Sequence, residues 1–335
     1  MSKVSNSKIL VTGGAGFVGS HLTDSLLFNG QKVIVLDNLI NGKLDNLINA
    51  KKHDNFKFIK GDILNISTCN EAMKGVDFVY HLACLGVRHS IHSPKENHNV
   101  NATGTLNILE AARKNNIKKF FYISTSEIYG KTVSFPITEQ TPTVPITVYG
   151  SSKLAGEHYT NSYNECYGLD TTVLRIFNNY GPRAHYEGDS GEIIPRSIVK
   201  IIYGESPVIF GDGSVTRDFF YVKDTAKVLT SLMGYGNEIT GKTFNLGTGI
   251  EYTMKYLLET LIELMPEYKV NIEYLPDRPA DVPRLWVDSK LIRSLVEIKD
   301  EKPFEEGLKE TIAFYKTLSE SRALNKEIKL YNWEK

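Results

Sequence analysis

Apolar residues come in short unbroken runs through the first half of the chain. They fall at 8–12, 32–36, 56–60, 78–82, 119–124 and 172–176, and Val33-Ile34-Val35-Leu36 is typical. Short apolar runs rich in β-branched residues, without polar alternation, read as strands covered on both faces. Between them apolar positions recur at helical spacing, at 20–27, 67–73, 97–115 and 149–167. Strand and helix alternating in this way predict an α/β fold with a parallel, doubly wound sheet. The rhythm breaks after Asn178, where short runs at 208–210, 243–246 and 271–274 mix with helical patterns at 193–203, 254–265 and 304–317. The expected division is a large domain, residues 1–178 with about 219–247, and a smaller mixed α/β domain from 179–218 and 248–335.

The turn between the first strand and its helix is Gly13-Gly14-Ala15-Gly16-Phe17-Val18-Gly19. Glycine permits the tight turn and lets backbone approach a pyrophosphate, whose charge meets free N–H groups at the helix start. Strand, glycine turn and helix together make a Rossmann-type dinucleotide fingerprint. Asp37 closes the second strand, and no arginine occurs from 38 to 42. A carboxylate there accepts hydrogen bonds from the adenosine ribose hydroxyls and repels a 2′-phosphate, so the reading is NAD rather than NADP. The competing reading, an ordinary turn with Asp37 capping a loop, has no use for the full set. Asp62, past the third strand, suits the adenine amino group or a helix cap equally.

Open α/β sheets bind ligands beyond the carboxyl ends of their strands. Thr125, Asn178 and the trio His81, Ala83 and Cys84 lie just past strands, so they converge on one crevice. Tyr149 and Lys153 are four apart on a helical pattern and share a face. A phenol is a poor base at neutral pH unless cations stabilise its anion, and Lys153 and a nicotinamide cation are placed to lower it. Tyr149 then takes a proton from a substrate hydroxyl while hydride leaves the same carbon for NAD, with Thr125 holding that hydroxyl. Alone, a Tyr-x-x-x-Lys pair is a common feature of amphipathic helices; the fingerprint upstream gives it weight.

With 39 basic and 39 acidic residues the chain has zero net charge, which argues against nucleic-acid or acidic-membrane partners. No apolar run is long enough to span a bilayer and no secretory pattern opens the chain. Cys69, Cys84 and Cys166 lack metal spacing, so no metal is expected and a cytoplasmic setting is.

The motifs together resemble the extended short-chain dehydrogenase/reductases, in the nucleotide-sugar epimerase/dehydratase branch. The matching pieces run nearly end to end. They are the glycine loop, Leu36-Asp37-Asn38-Leu39, Gly61-Asp62-Ile63, His81-Leu82-Ala83, Ser124-Thr125-Ser126-Glu127, Tyr149-x-x-x-Lys153, Arg175-Ile176-Phe177-Asn178, Gly181-Pro182-Arg183 and Arg217-Asp218-Phe219. The resemblance implies tightly held NAD, a nucleoside-diphosphate sugar between two domains, and a homodimer built on the 97–115 and 149–167 helices. It implies Thr125, Tyr149 and Lys153 as the catalytic set. Gly13, Gly16, Phe17, Val18, Gly19, Asp37, Asn38, Asp62, Ile63, Leu82 and Ala83 would contact the cofactor. Asn178 would touch sugar or diphosphate, with Arg217 and Arg278, the latter in Arg278-Pro279-Ala280-Asp281, on the diphosphate.

Members of this branch begin by oxidising the sugar at C4. A 4-epimerase then needs only rotation of the keto sugar, whereas a 4,6-dehydratase or a decarboxylase acts further along the ring. Glu127 matches the glutamate of Thr-Ser-Glu members such as GDP-mannose 4,6-dehydratases and UDP-glucuronate decarboxylases, and serves there as a base at C5 or only as a hydrogen-bonding group. Ser126 stands where dTDP-glucose dehydratases carry an aspartate, leaving it for substrate contact. Gly86-Val87-Arg88 resembles UDP-glucuronate 4-epimerases, and Arg88 and Arg183 would suit a sugar carboxylate, a phosphate or a helix end. The favoured reading is a 4-epimerase of a UDP-hexose or UDP-hexuronate. A C5-deprotonating enzyme comes second, and a non-catalytic NAD-binding sensor or scaffold last, because Tyr149 and Lys153 are both present.

Overall fold

The six apolar runs of the N-terminal half and the run at 243–246 align in one parallel sheet. This is a computed structural model, and it describes residues 6–278, 281–298 and 300–334. The strands are β1 (Lys8–Thr12), β2 (Lys32–Asp37), β3 (Phe56–Lys60), β4 (Phe78–His81), β5 (Lys119–Thr125), β6 (Thr171–Ile176), β7 (Asn178–Tyr180), β8 (Val208–Phe210), β9 (Thr216–Tyr221), β10 (Lys242–Leu246), β11 (Glu251–Thr253), β12 (Glu273–Leu275) and β13 (Arg284–Leu285). The helices are α1 (Phe17–Phe28), α2 (Ile66–Met73), α3 (Val87–His92), α4 (Pro94–His98), α5 (Gly104–Lys114), α6 (Val148–Tyr167), α7 (Ile193–Ile202), α8 (Val222–Ser231), α9 (Met254–Glu263), α10 (Lys290–Leu295) and α11 (Phe304–Ser321).

The large sheet has the order β10-β6-β5-β4-β1-β2-β3. The chain winds outward from β1 to β3, then returns to β4 on the other side of β1. That reversal opens a crevice above the carboxyl ends of β1 and β4, where doubly wound sheets bind ligands. Two apolar cores cover the sheet, one containing Leu22, Leu26 and Leu229, the other Ile108, Leu109 and Met73. A third core, around Ile198, Leu257, Leu308 and Tyr315, belongs to α7, α9 and α11 and to the small sheets of β7, β9, β11 and β13 and of β8 with β12. β9 thus pairs in a small sheet, while α8 and β10 pack back on the large one.

The expected helix at 97–115 is instead α4, a π-turn at Asn99–Thr103, and α5. The wider turn lets buried Asn101 face the loop after β4. Its side chain accepts from Leu85 N at 2.8 Å and donates to Leu85 O at 3.0 Å and Ser152 Oγ at 3.1 Å. Asn97 donates to Leu85 O and Gly86 O, each at 3.0 Å. Two asparagines thereby fix the 83–86 loop against α6. Gly156 brings α6 close to β5: a Cβ there would lie 2.1 Å from the Tyr122 hydroxyl.

Candidate active site

A cleft of about 480 Å³ runs from the glycine loop to Arg217, Arg278 and Asp281. At its cofactor end Gly13 has φ +70°, and a Cβ there would lie 2.7 Å from Ala83 N. A Cβ on Gly19 would lie 2.2 Å from Gly13 O. Only glycine fits both places, so the loop packs against β4 and presents bare backbone. α1 begins at Phe17 with no side-chain cap, which leaves its first N–H groups for an anion. Asp37 is buried, and its carboxylate accepts from Ala15 N at 2.9 Å and Leu39 N at 2.8 Å. Burial raises its pKa and these two bonds oppose the rise. The cradle a Cβ would fill, the open helix start and the β2 carboxylate fit NAD.

Asn38, Ile63, Leu82, Ala83, Phe17 and Val18 also line the cleft. Asp62 does not. One of its oxygens accepts from Leu64 N at 2.8 Å and the other from Asn38 Nδ2 at 3.2 Å, so it holds a local turn, while Asn65 caps α2.

In the centre of the cleft, β5 delivers Thr125 and the start of α6 delivers Tyr149 and Lys153. Thr147 caps α6 by accepting from Gly150 N at 3.0 Å. Lys153 is buried, donates to Ile123 O at 2.6 Å and lies 4.3 Å over the Tyr122 ring. Behind them Arg175 of β6 forks onto Glu157 of α6 and donates to Tyr129 Oη, both at 2.8 Å. This buried network joins helix and sheet. Burial pushes the Tyr149 phenol well up, with Cys84 adding to the rise and Thr125 opposing it. Burial also lowers the pKa of Lys153, with Cys84 and Glu157 opposing. Among the protein's own groups the largest influence on Tyr149 is desolvation, which favours the neutral phenol.

The far end is strongly charged. Arg217 on β9 contacts Asp281 at 2.8 Å, and Arg278 Nε contacts the same carboxylate at 2.8 Å. Asp218, next to Arg217, accepts from Thr248 N at 2.8 Å and Gly249 N at 2.7 Å and so anchors β9. Pro279 and Ala280 of the Arg278–Asp281 motif lie outside the described residues. Arg88, on α3, joins this group; burial lowers its pKa to about 10, Arg278 adds to the effect, and Asp281 and Glu127 oppose it. Burial raises the Glu127 carboxyl, against Arg217 and Arg88. Ser126 lines the same wall. Among the described residues Asn178 Oδ1 and Ser124 Oγ are buried without hydrogen-bond partners, a state that native interiors rarely leave unused.

Arg183 is not in the cleft. With φ +68° it turns back to α1 and meets Asp24 at 2.8 Å, so it joins the two parts of the fold instead of a ligand. Glu192, Arg196, Phe210 and Asp281, none assigned a role from the motifs, also line the cleft. The 185–192 loop is held from both sides. Lys43, after β2, meets Glu187 at 2.8 Å and His92 of α3 meets Asp189 at 2.6 Å. Burial works to raise the Glu187 carboxyl, yet His185 and Lys43 hold it down to about 2. From the other side Lys329 reaches Asp189 at 3.0 Å and Asn332 donates to Gly191 O at 2.9 Å. Trp333 packs edge-on against Phe210 at 5.0 Å.

Cofactor cradle, hydroxyl-facing tyrosine and arginine-rich end define an NAD-dependent enzyme of nucleotide sugars. Residues 10–311 match the family described as GDP-mannose 4,6 dehydratase. The UDP-glucose 4-epimerase of Mycolicibacterium smegmatis is 34% identical over 93% of this chain and 100% of its own. The solved UDP-N-acetylglucosamine 4-epimerase of Methanobrevibacter ruminantium M1, in complex with UDP-N-acetylmuramic acid, is 36% identical, covers 94% and 100% of the two chains, and superposes with TM-score 0.86. UDP-glucuronic acid 4-epimerase from Bacillus cereus, solved with UDP-glucuronic acid and NAD, is 30% identical over 93% and 99%, with TM-score 0.87. The chain belongs to this family of NAD-dependent epimerases and dehydratases. Among the described residues no helix is long and apolar enough to cross a membrane.

Proposed function

We propose that the protein is a 4-epimerase of a UDP-hexose or UDP-hexuronate. The observation that carries this reading is the place of Tyr149, Lys153 and Thr125, midway along one cleft between the glycine loop and the arginine cluster. In this division of labour residues 1–178 with about 219–247 hold NAD, and 179–218 with 248–335 hold the nucleotide sugar. Bound NAD supplies hydride acceptance and return at the sugar C4.

Tyr149 takes the proton of the C4 hydroxyl, which Thr125 holds, and gives it back after the ring has turned. Lys153, fixed to Ile123 O, favours the phenolate that forms. Asp37 and Asn38 position the adenosine ribose, and the glycine loop meets the cofactor pyrophosphate. Arg217 and Arg278 fork onto the sugar-nucleotide diphosphate, with Arg88 beside them. Asn178 Oδ1, buried without a partner among the described residues, accepts from the sugar.

The test is incubation with UDP-glucose, UDP-N-acetylglucosamine and UDP-glucuronate, followed by NMR. C4 inversion of at least one is expected, and no inversion of any would refute the reading. A second reading rests on Glu127, whose half-buried carboxyl, raised by desolvation, suits a base at C5 and hence a 4,6-dehydratase or decarboxylase. The same incubation in deuterated water separates the two. A homodimer through α5 and α6 is supported by exposed Leu106 and Tyr167 on those helices, and sedimentation at micromolar concentration checks it. A cytoplasmic location agrees with the absence of an apolar spanning helix among the described residues.

A further inference from the structure

The match to the family ends at residue 311, within α11. Beyond that helix, residues 329–333 return to the wall of the cleft. Asp189, Gly191, Arg196 and Phe210, which they hold, all line it. Lys329 meets the Asp189 carboxylate at 3.0 Å. Arg196 Nη2 donates to Lys329 O and Leu330 O, each at 2.9 Å. Buried Asn332 donates to Gly191 O at 2.9 Å and Asp189 O at 3.5 Å. Tyr331 and Trp333 pack on the Phe210 ring, with centroids 6.2 and 5.0 Å away, and on each other at 5.5 Å.

The grip on Arg196 leaves part of it unused. Its stem lies against Gly191, where a Cβ would come 2.8 Å from Arg196 Cδ. Backbone carbonyls accept from its guanidinium without neutralising the charge, and Nε is buried without a partner among the described residues. Burial lowers its pKa to about 10, and Arg278 adds to the effect. Phe210 is in register with Leu275 of β12, three residues before Arg278. The wall held from behind therefore adjoins the segment that carries a diphosphate arginine. A long side chain gives up rotamer freedom when it meets a ligand, and one already fixed gives up less.

We propose that the 329–333 segment positions the nucleotide end of the cleft: by fixing Arg196 and Phe210 it pre-forms the wall on which the nucleoside diphosphate rests. This builds on the nucleotide-sugar reading above. Lys329, Asn332 and Trp333 act through the residues they hold, so they set affinity for the nucleotide and leave NAD binding and the chemistry at Tyr149 alone.

The test is calorimetric binding of UDP and of NAD to the native protein and to variants at the segment. Trp333→Ala is expected to weaken UDP about tenfold with NAD affinity unchanged, which shows the fold is kept. Trp333→Phe keeps an aromatic ring on Phe210 and is expected to stay within about twofold of the native protein. On any UDP-sugar that is inverted, Trp333→Ala raises KM and leaves kcat unchanged. UDP binding by Trp333→Ala within about twofold of native would overturn the proposal, as would an equal loss in Trp333→Phe. If Trp333→Ala loses NAD as well, Tyr331→Ala decides, since that side chain is exposed and touches the same ring. A loss of about threefold for UDP alone upholds the proposal, and no loss overturns it. A native protein that binds no UDP sinks the nucleotide-sugar reading and this proposal together, whereas UDP binding without C4 inversion of any UDP-sugar tells against epimerisation alone.

Discussion

The two ends of the cleft are built on different principles. The cofactor end is made of backbone: glycines too crowded for a Cβ, an uncapped helix start, and one carboxylate whose own bonds go to Ala15 and Leu39. Its glycines and carboxylate come from one continuous stretch, β1 to β2. The sugar end is made of side chains from the turn after β5, α3, β9 and α7 with Arg278 and Asp281, and among the described residues Arg196 Nε and Asn178 Oδ1 there are buried without a hydrogen-bond partner. The first end is complete in itself; the second is completed by its ligand. Recognition of an invariant cofactor can be written into backbone, whereas choice among sugars is written in charges that single substitutions can change.

The largest expected effect lies between the ends. Tyr149→Phe should cut C4 inversion by about 10²- to 10⁴-fold while NAD and UDP binding persist, measured by NMR assay and calorimetry. A parallel loss of both ligands would mean that Tyr149 shapes the cleft and does not act in it. Next come two reciprocal losses. Asp37→Ala removes the acceptor for two backbone N–H groups and should weaken NAD by about 1.5–3 kcal/mol, with UDP affinity untouched. Arg217→Met should weaken UDP by a similar about 1.5–3 kcal/mol and leave NAD in place. If either substitution damages both ligands equally, the ends are not independent.

A smaller effect is expected at the loop between them. Lys43→Met removes a partly exposed ion pair to Glu187 and should raise the KM of the nucleotide sugar only a few-fold, about 0.2–1 kcal/mol, with kcat unchanged. The smallest expected signal is none at all: C4 inversion in deuterated water should place no deuterium at C5. Label at C5 would promote Glu127 from bystander to base.

The contrast also explains what the sequence could reveal. The parallel sheet was legible because its strands are buried on both faces and so are apolar throughout. The cofactor loop was legible because glycine spacing is local. Arg183 could not be placed, since its backbone turn points it to Asp24 on a helix far away in sequence. The π-turn at 99–103 escaped because its cause is tertiary: Asn101 serves a loop 16 residues earlier. Glu192 had no role assigned from the sequence, because what a cleft side chain faces depends on elements distant along the chain. Its neighbours Ile193 and Ile194 simply mark the start of α7.

Gly156 is a shim. It lies two turns along α6 from Tyr149, on the side that meets Tyr122, and its missing carbon sets the thickness of the layer between helix and sheet. Tyr122 is fully buried and donates to Lys153 O at 3.1 Å, so it has nowhere to retreat. Adding one methyl at 156 would lever the whole helix outward, carrying the phenol away from Thr125 without altering any residue that touches a ligand. The tolerance of the reaction centre is thus gauged by an atom that is not there, at a position no inspection of the chemistry would single out.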